Sequence, residues 1–158
     1  MDFKQTKDAL ITQGLISSTE DLILCEDAPS NFDVIMGGAL GAALTANKRK
    51  VYALTVDDNR IQLFYLDKKT LKYLNLVERY NISDLKKIKA STFLGYQVIF
   101  KTSEHTISLL SSKKYRGYDQ KEAVKSIFNK LKALKKWLFT GSNFSSRFYL
   151  FKKQKKVA

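Results

Sequence analysis

Two side chains in this sequence have the chemistry of a nucleophile and its base, and each type occurs once. Cys25 is the only cysteine and His105 the only histidine, which excludes an intramolecular disulfide and a metal site with two histidine ligands. Cys25 precedes Glu26 and Asp27, and neighbouring carboxylates raise the pKa of a thiol and weaken it as a nucleophile. We expect Cys25 to be a buried structural residue and His105, beside Glu104, to be a solvated loop residue.

Adjacent carboxylates and a glycine-rich segment also fail to indicate catalysis. Asp57-Asp58 and Glu26-Asp27 lack the contrasting environments that separate the pKa values of an acid–base pair, and such pairs are typical of turns. The segment MGGALGAALTANKRK has no Gly-Lys-Ser/Thr at the spacing of a phosphate-binding loop. We therefore expect no enzymatic activity and no cofactor.

The apolar part of that segment, residues 34–46, has two interpretations. Gly37 and Gly41 form a GxxxG pattern, but the run is shorter than the ~20 residues that span a membrane. In one interpretation its small residues pack tightly on the rest of the domain or on a second copy of the chain. In the other it enters a membrane interface while Lys48, Arg49 and Lys50 contact headgroups.

Positive charge is concentrated in the second half of the chain. The net charge is +13, with 10 Lys/Arg against 11 Asp/Glu in residues 1–80 and 18 against 4 in residues 81–158. Such asymmetry is typical of a protein with a polyanionic partner. Lysines far outnumber arginines, which favours diffuse attraction over the bidentate recognition of bases or phosphates. The candidate residues for contact with an anionic surface are Lys48, Arg49, Lys50, Lys132, Lys136, Arg147, Lys152, Lys153, Lys155 and Lys156.

Residues 142–158 form a basic tail that also contains aromatic residues, and it too has two interpretations. Aromatic rings among lysines suit a membrane interface, where the rings lie at headgroup depth. Each lysine near an anionic surface contributes about 1 kcal/mol, so the tail would tune binding but not anchor the chain alone. Alternatively, residues 148–151 dock on the domain as an extra strand while the lysines remain in solvent.

The remaining pattern predicts a small antiparallel sheet between two helices. A short helix is expected over residues 2–14, with Gly14 as its terminator. Alternation and turn residues indicate seven strands, at residues 20–25, 50–56, 60–66, 71–78, 85–90, 96–101 and 105–111. Residues 119–138 place an apolar stripe at helical spacing, and Asp119 with Glu122 resembles a capping box. The stripe consists of Val124, Ile127, Phe128, Leu131, Leu134 and Leu138.

This layout resembles that of pleckstrin-homology-like (PH-like) barrels, including the bacterial PH-like and GRAM-like domains. YALTVDDNRIQLFYL (residues 52–66) is similar to their second and third strands, ISDLKKIKA (82–90) to their fifth, and FLGYQVIF (93–100) to their sixth. The resemblance implies a scaffold for binding lipids or proteins. Lys48, Arg49 and Lys50 match the basic group at the second strand of lipid-binding members. Glu26-Asp27 stands where those members carry a lysine.

The sequence thus predicts a mainly β protein: a seven-stranded antiparallel PH-like barrel at residues 20–112, capped by a C-terminal amphipathic helix at 119–138, with a short N-terminal helix. We expect one domain at residues 1–141 and a tail at 142–158. The expected function is a non-enzymatic interaction module that binds a protein partner or an anionic membrane surface. The alternative is non-specific nucleic-acid binding through the basic half. We expect no small-molecule substrate and a cytoplasmic location; peripheral membrane attachment and homo-oligomerisation stay open.

Overall fold

The computed structural model describes residues 3–28, 49–92 and 95–134. The two interpretations of residues 34–46, those of the tail at 142–158, and the predicted helix end at Leu138 lie outside these ranges. Within them, no helix is long and apolar enough to cross a membrane.

Seven strands form one antiparallel sheet, which confirms the predicted fold class. They are β1 (Ile23–Asp27), β2 (Val51–Val56), β3 (Arg60–Leu66), β4 (Tyr73–Asn81), β5 (Lys87–Ser91), β6 (Tyr96–Lys101) and β7 (Thr106–Ser111). The order across the sheet is β4-β3-β2-β1-β7-β6-β5. A short N-terminal helix, α1 (Phe3–Thr12), and a C-terminal helix, α2 (residues 121–134), complete the predicted layout.

Strands β1, β4 and β5 begin two or three residues later than the sequence pattern predicts, and β2 and β7 begin one residue later. Turns precede β1 and β4, and a short 3-10 helix, Ile82–Asp84, precedes β5. Before β1, the carboxylate of Glu20 accepts a hydrogen bond from the backbone N–H of Ser17 at 3.1 Å. Before β4, the backbone of Leu71 is left-handed at φ 60°, and its N–H donates to the Asp67 carbonyl at 2.8 Å. In both cases the strand begins only after the turn ends.

The sheet curls around an inner core to which all seven strands contribute. Tyr80 of β4 contacts Phe100 of β6, with ring centroids 5.1 Å apart, although four strands lie between them in the sheet order. Helix α2 packs into this core through the predicted stripe, of which Val124, Ile127 and Leu131 are fully buried. The sheet therefore has the barrel-like curvature that was predicted.

Helix α1 covers a second, outer core on the other face of strands β1 to β4. Phe3 and Leu10 are buried there, and the Thr6 hydroxyl donates to the Leu71 carbonyl at 2.7 Å. Gly14, at φ 70°, ends the helix as predicted, and Leu15 N–H returns to the Leu10 carbonyl at 3.0 Å in a Schellman arrangement. Because both faces of the sheet are covered, every residue of β2 is buried.

A short hairpin between β7 and α2 was not predicted from the sequence. It consists of β8 (Lys114–Tyr115) and β9 (Tyr118–Asp119). Arg116 and Gly117 form its turn at φ 48° and 82°, the left-handed pair that a type I′ turn requires. Arginine rarely adopts this conformation, so the residue types at this turn do not indicate a hairpin. Tyr118 packs edge-on against Phe3, with centroids 4.8 Å apart, and this contact ties the hairpin to α1.

Helix α2 begins at residue 121, two residues after the predicted start. Asp119 does serve the first turn, since its carboxylate accepts the Lys121 backbone N–H at 3.0 Å. Glu122 instead pairs with Lys125 at 3.7 Å. The residue between the hairpin and the helix is Gln120, which is 3% exposed.

The Gln120 side chain continues the sheet where β7 ends. Its amide oxygen accepts the Leu24 backbone N–H at 2.7 Å, and its amide nitrogen lies 3.0 Å from the Leu24 carbonyl and 2.7 Å from the Ser112 carbonyl. A neighbouring strand would satisfy the Leu24 backbone in the same way. The backbone carbonyl of Gln120 meanwhile accepts the Val124 N–H at 2.8 Å, so one residue joins β1 to the start of α2.

We predict that Gln120→Leu destabilises the protein by about 2–4 kcal/mol, because the buried Leu24 N–H and the Ser112 carbonyl lose their partner. Chemical denaturation would measure this change. Gln13→Leu, at an exposed position after α1, is the matched control and should shift stability by no more than ~0.5 kcal/mol. Equal stabilities for the two variants would contradict this role of Gln120.

Candidate binding site

One end of the curled sheet lies beside the last described turns of α2, whereas the other end holds a cavity of about 530 Å³. At the α2 end, the β2–β3 turn lies next to Lys130 and Ala133. The other end contains the last residue of β1, the first residue of β2 and the turn between β6 and β7. We call this space the open-end cavity; the polar side chains that line it include Asp27, Tyr52, Tyr65, Glu78, Gln97 and His105.

Asp27 and Tyr52 form one wall of the open-end cavity. The Tyr52 hydroxyl donates to Oδ1 of Asp27 at 2.9 Å, and the Lys50 backbone N–H donates to Oδ2 at 2.9 Å. Tyr52 lies directly opposite Tyr65 across β2 and β3, and their rings meet edge to face at 4.9 Å. The last residue of β1 is thus held by the first residues of the next strand.

Glu78 is the second carboxylate of the open-end cavity. It faces Leu63 across β3 and β4, and its two oxygens accept hydrogen bonds from the hydroxyls of Tyr65 and Tyr80, one each. Tyr65 lines the cavity beside Glu78, while Tyr80 packs against the inner core. Two phenols therefore fix the orientation of one carboxylate.

The protonation states follow from these contacts. Burial opposes the charge on Glu78, but the hydrogen bonds from Tyr65 and Tyr80 outweigh it and hold its pKa below the ordinary value of 4.5. Burial, together with the hydrogen bond to Glu78, raises the pKa of Tyr65 to about 12. Burial and the bond to Asp27 likewise raise the pKa of Tyr52. At neutral pH the phenols are neutral donors and Glu78 is an anion.

The structure places the described basic candidates at opposite ends of the domain. Arg49 forms an ion pair with Glu26 at 3.5 Å, and the Lys50 ammonium lies 5.5 Å from the ring centroid of Tyr65. Lys132 is exposed on α2, at the other end of the sheet. Lys48 and Lys136 lie outside the described residues, as do the five candidates of the tail, Arg147, Lys152, Lys153, Lys155 and Lys156.

Cys25 and His105 lie where the sequence suggested. Cys25 is 1% exposed, and burial, followed by the charges of Asp27 and Glu26, raises the pKa of its thiol. His105 is exposed; its imidazole lies 3.5 Å from the Thr102 hydroxyl. It does, however, line the open-end cavity, which its position in a turn did not indicate.

A second surface feature, on the edge strand β4, was also missed. Between the pairs Phe64–Val77 and Leu66–Tyr73, residues 74–76 face only one residue of β3, so they form a bulge; Asn75 is left-handed at φ 56°. Leu74 and Leu76 are 54% and 53% exposed. We call residues 74–76 the leucine bulge.

The leucine bulge follows a basic turn. Lys69 and Lys72 are exposed in the turn between β3 and β4. Arg116 of the hairpin reaches this turn, where its guanidinium donates to the Lys68 carbonyl, and it lies 5.4 Å from the ring centroid of Tyr115. Exposed leucines therefore adjoin a group of cations.

Sequence reasoning missed Tyr52, Tyr65, Glu78 and Tyr80 as a group because each alone is an ordinary strand residue. They meet only through the register of β2, β3 and β4. The one available signal was Asp27, whose carboxylate stands where lipid-binding PH-like domains carry a lysine.

Searches of known proteins add little to this description. No protein-family model matches the chain, and no curated protein matches it. Among solved structures, the chain is similar to the hSac2 domain from the human phosphoinositide phosphatase Sac2, with 13% sequence identity, coverage of 87% of this chain and 85% of that chain, and a TM-score of 0.43. So distant a likeness says nothing about the ligand of the present chain, and the fold assignment rests on the strand order itself.

We predict that Glu78→Gln lowers the melting temperature at neutral pH and that this difference from the wild type shrinks as the pH falls below 4.5. The folded-state pKa of Glu78 is lowered, so its charge stabilises the fold above the unfolded-state value, and that contribution is lost as the pH falls through the folded-state value. Glu104→Gln, in the exposed β6–β7 turn, is the control. A difference that grows toward low pH would contradict the assignment.

Proposed function

We propose that this protein is a non-enzymatic PH-like interaction module that binds a protein partner at the open-end cavity. The observation that carries the proposal is the pair of carboxylates, Asp27 and Glu78, held in place by tyrosine hydroxyls on the cavity wall. The cavity volume of about 530 Å³ lies within the ~300–1,000 Å³ range of ligand pockets.

The same carboxylates argue against a phosphorylated headgroup in this cavity. Two like unit charges 4 Å apart repel by about 4 kcal/mol at the effective dielectric of a protein surface. A phosphate in the cavity would meet Asp27 and Glu78, and no lysine or arginine is among the described residues that line it. Arg49 is already paired with Glu26. A protein segment carries no such penalty, so we favour a protein partner over an inositide.

The same groups support the non-enzymatic part of the proposal. A general base works best with a pKa near the operating pH, and the pKa of Glu78 is lowered away from neutrality. The phenols of Tyr52 and Tyr65 have raised pKa values, so they are poor nucleophiles. The Cys25 thiol is buried in the inner core with a raised pKa.

A second candidate function, adhesion to an anionic membrane surface, is favoured by the leucine bulge and its basic turn. Exposed aliphatic side chains beside cations suit the boundary between headgroups and acyl chains. Lys69 and Lys72 would each contribute about 1 kcal/mol near an anionic surface. This face lies on edge strand β4, so it does not require the open-end cavity.

We predict that a photo-crosslinking residue at Thr106, exposed beside the open-end cavity, gives a specific protein adduct in cells of the native host. The same residue at Ala133, exposed near the β2–β3 turn, is the matched control and should not give that adduct. Gel electrophoresis and mass spectrometry would identify the product. Identical adducts from both positions would argue against binding at the open end.

For the membrane candidate we predict that Lys69→Gln with Lys72→Gln weakens binding to vesicles of phosphatidylcholine and phosphatidylserine on the order of thirtyfold, from two contributions of about 1 kcal/mol each. Lys130→Gln with Lys132→Gln, on α2, removes the same charge elsewhere and should have little effect. Cosedimentation at low salt would measure both. Equal losses would indicate diffuse attraction, and stronger binding to duplex DNA would favour the nucleic-acid alternative.

A further inference from the structure

We propose that the open-end cavity accepts one cationic side chain, a guanidinium or an ammonium group, from the protein partner. This inference rests on the proposed function and names the chemistry that the cavity recognises. Three properties of the cavity carry it: aromatic faces, unused acceptor capacity, and a local excess of negative charge.

The aromatic faces come from tyrosines of neighbouring strands. Tyr52 and Tyr65 both line the cavity and meet edge to face with centroids 4.9 Å apart; Tyr65 is the more exposed of the two. The Lys50 ammonium already lies 5.5 Å from the Tyr65 centroid, within the ~6 Å range of a cation–π contact. Lys50 does not itself line the cavity, but its contact shows that the Tyr65 ring accepts a cation.

The carboxylates retain acceptor capacity beyond their hydrogen bonds to the tyrosines and to the Lys50 backbone. An ionised carboxylate offers about four acceptor positions. Asp27 uses one on each oxygen, for the Tyr52 hydroxyl and the Lys50 N–H, and Glu78 uses one on each oxygen for its two phenols. With respect to the described residues, each therefore keeps about two acceptor positions, and a guanidinium is the donor that carboxylates match best.

The charge balance at the cavity favours a cation. Among the described residues that line the cavity, Asp27 and Glu78 are carboxylates and none is a lysine or an arginine. Lys50, which lies beside Tyr65 but does not line the cavity, offsets one of their two negative charges. Glu26 and Arg49 neutralise each other nearby. Lys87 and Lys101, paired across β5 and β6 near this end, are not among the residues that line the cavity.

The two carboxylates also have fixed positions before any ligand arrives. Tyr52 is 6% exposed, and its ring is held by Tyr65 on one side and by Asp27 through its hydroxyl. Tyr80 fixes Glu78 from the inner core, where its own ring packs against Phe100 at 5.1 Å. Binding therefore does not have to order the acceptors, which is the usual condition for recognition by a preformed pocket.

The test uses small probes that carry a single side chain with blocked ends. N-acetyl-arginine amide and N-acetyl-lysine amide are titrated into the whole chain, and N-acetyl-citrulline amide serves as the neutral isostere of arginine. Backbone amide shifts in NMR spectra report binding at residues 27, 52, 78 and 106. We expect saturable shifts at these positions with at least one cationic probe and at least tenfold weaker binding of citrulline.

Two substitutions should change the affinity in opposite directions. Glu78→Gln removes a negative charge and should weaken binding of the cationic probe at least tenfold. Lys50→Met removes the resident cation and should strengthen it. Glu104→Gln, an exposed carboxylate in the β6–β7 turn that does not line the cavity, is the matched control and should leave the affinity unchanged. Lys50 is exposed, so we expect Lys50→Met to fold normally. Its affinity for the probe therefore tests the inference even if Glu78→Gln is poorly folded.

The outcomes separate this inference from the proposed function. Equal binding of arginine and citrulline probes, or no saturable shift with either cation, overturns the cationic ligand, while a Thr106 adduct would still support a protein partner. Probe binding without any Thr106 adduct would support a cation-binding cavity and contradict the proposed protein partner. Saturable binding of inositol phosphates at the same amides would overturn both.

Discussion

The hydrogen bonds of the Gln120 side chain are the contact on which the arrangement of the domain depends. Strand β1 pairs with β7 from Cys25 to Asp27, and at Leu24 the Gln120 amide takes the place of the missing strand. The Ser111 hydroxyl also donates to the Leu24 carbonyl, at 2.7 Å. Strand β1 joins the half of the sheet formed by β2 to β4 to the half formed by β5 to β7, and Gln120 directly precedes α2. This contact therefore fixes the helix against β1, where the two halves meet.

The inner and outer cores lie on opposite faces of the same strands, β1 to β3. We expect these strands, and the cavity residues that they carry, to be rigid for this reason. Strands β1 to β3 bury one face around α2 and the other beneath α1. A strand covered on both faces has little freedom to shift. The tyrosines and carboxylates at the ends of these strands therefore project from a fixed base, which is the arrangement that favours selective binding.

The local charge of the cavity is opposite to the charge of the whole protein. The chain carries +13, yet Asp27 and Glu78 line the cavity, where the described lining residues include no lysine or arginine. Long-range attraction would bring the protein toward anionic surfaces, whereas short-range contacts in the cavity would select a cation. The leucine bulge lies on edge strand β4 and its lysines in the turn before it, so the two kinds of contact occupy different parts of the domain.

The sequence by itself determined the seven strands of the main sheet, the α1 end at Gly14, and the α2 stripe that includes Leu131. These depend on local periodicity and turn chemistry, which a single segment carries in full. Only the tertiary structure decided the open-end cavity, the leucine bulge and the contact of the Gln120 side chain with the Leu24 backbone. Each of these depends on register between distant segments, and a slip of one residue would move the side chains of a strand to the opposite face.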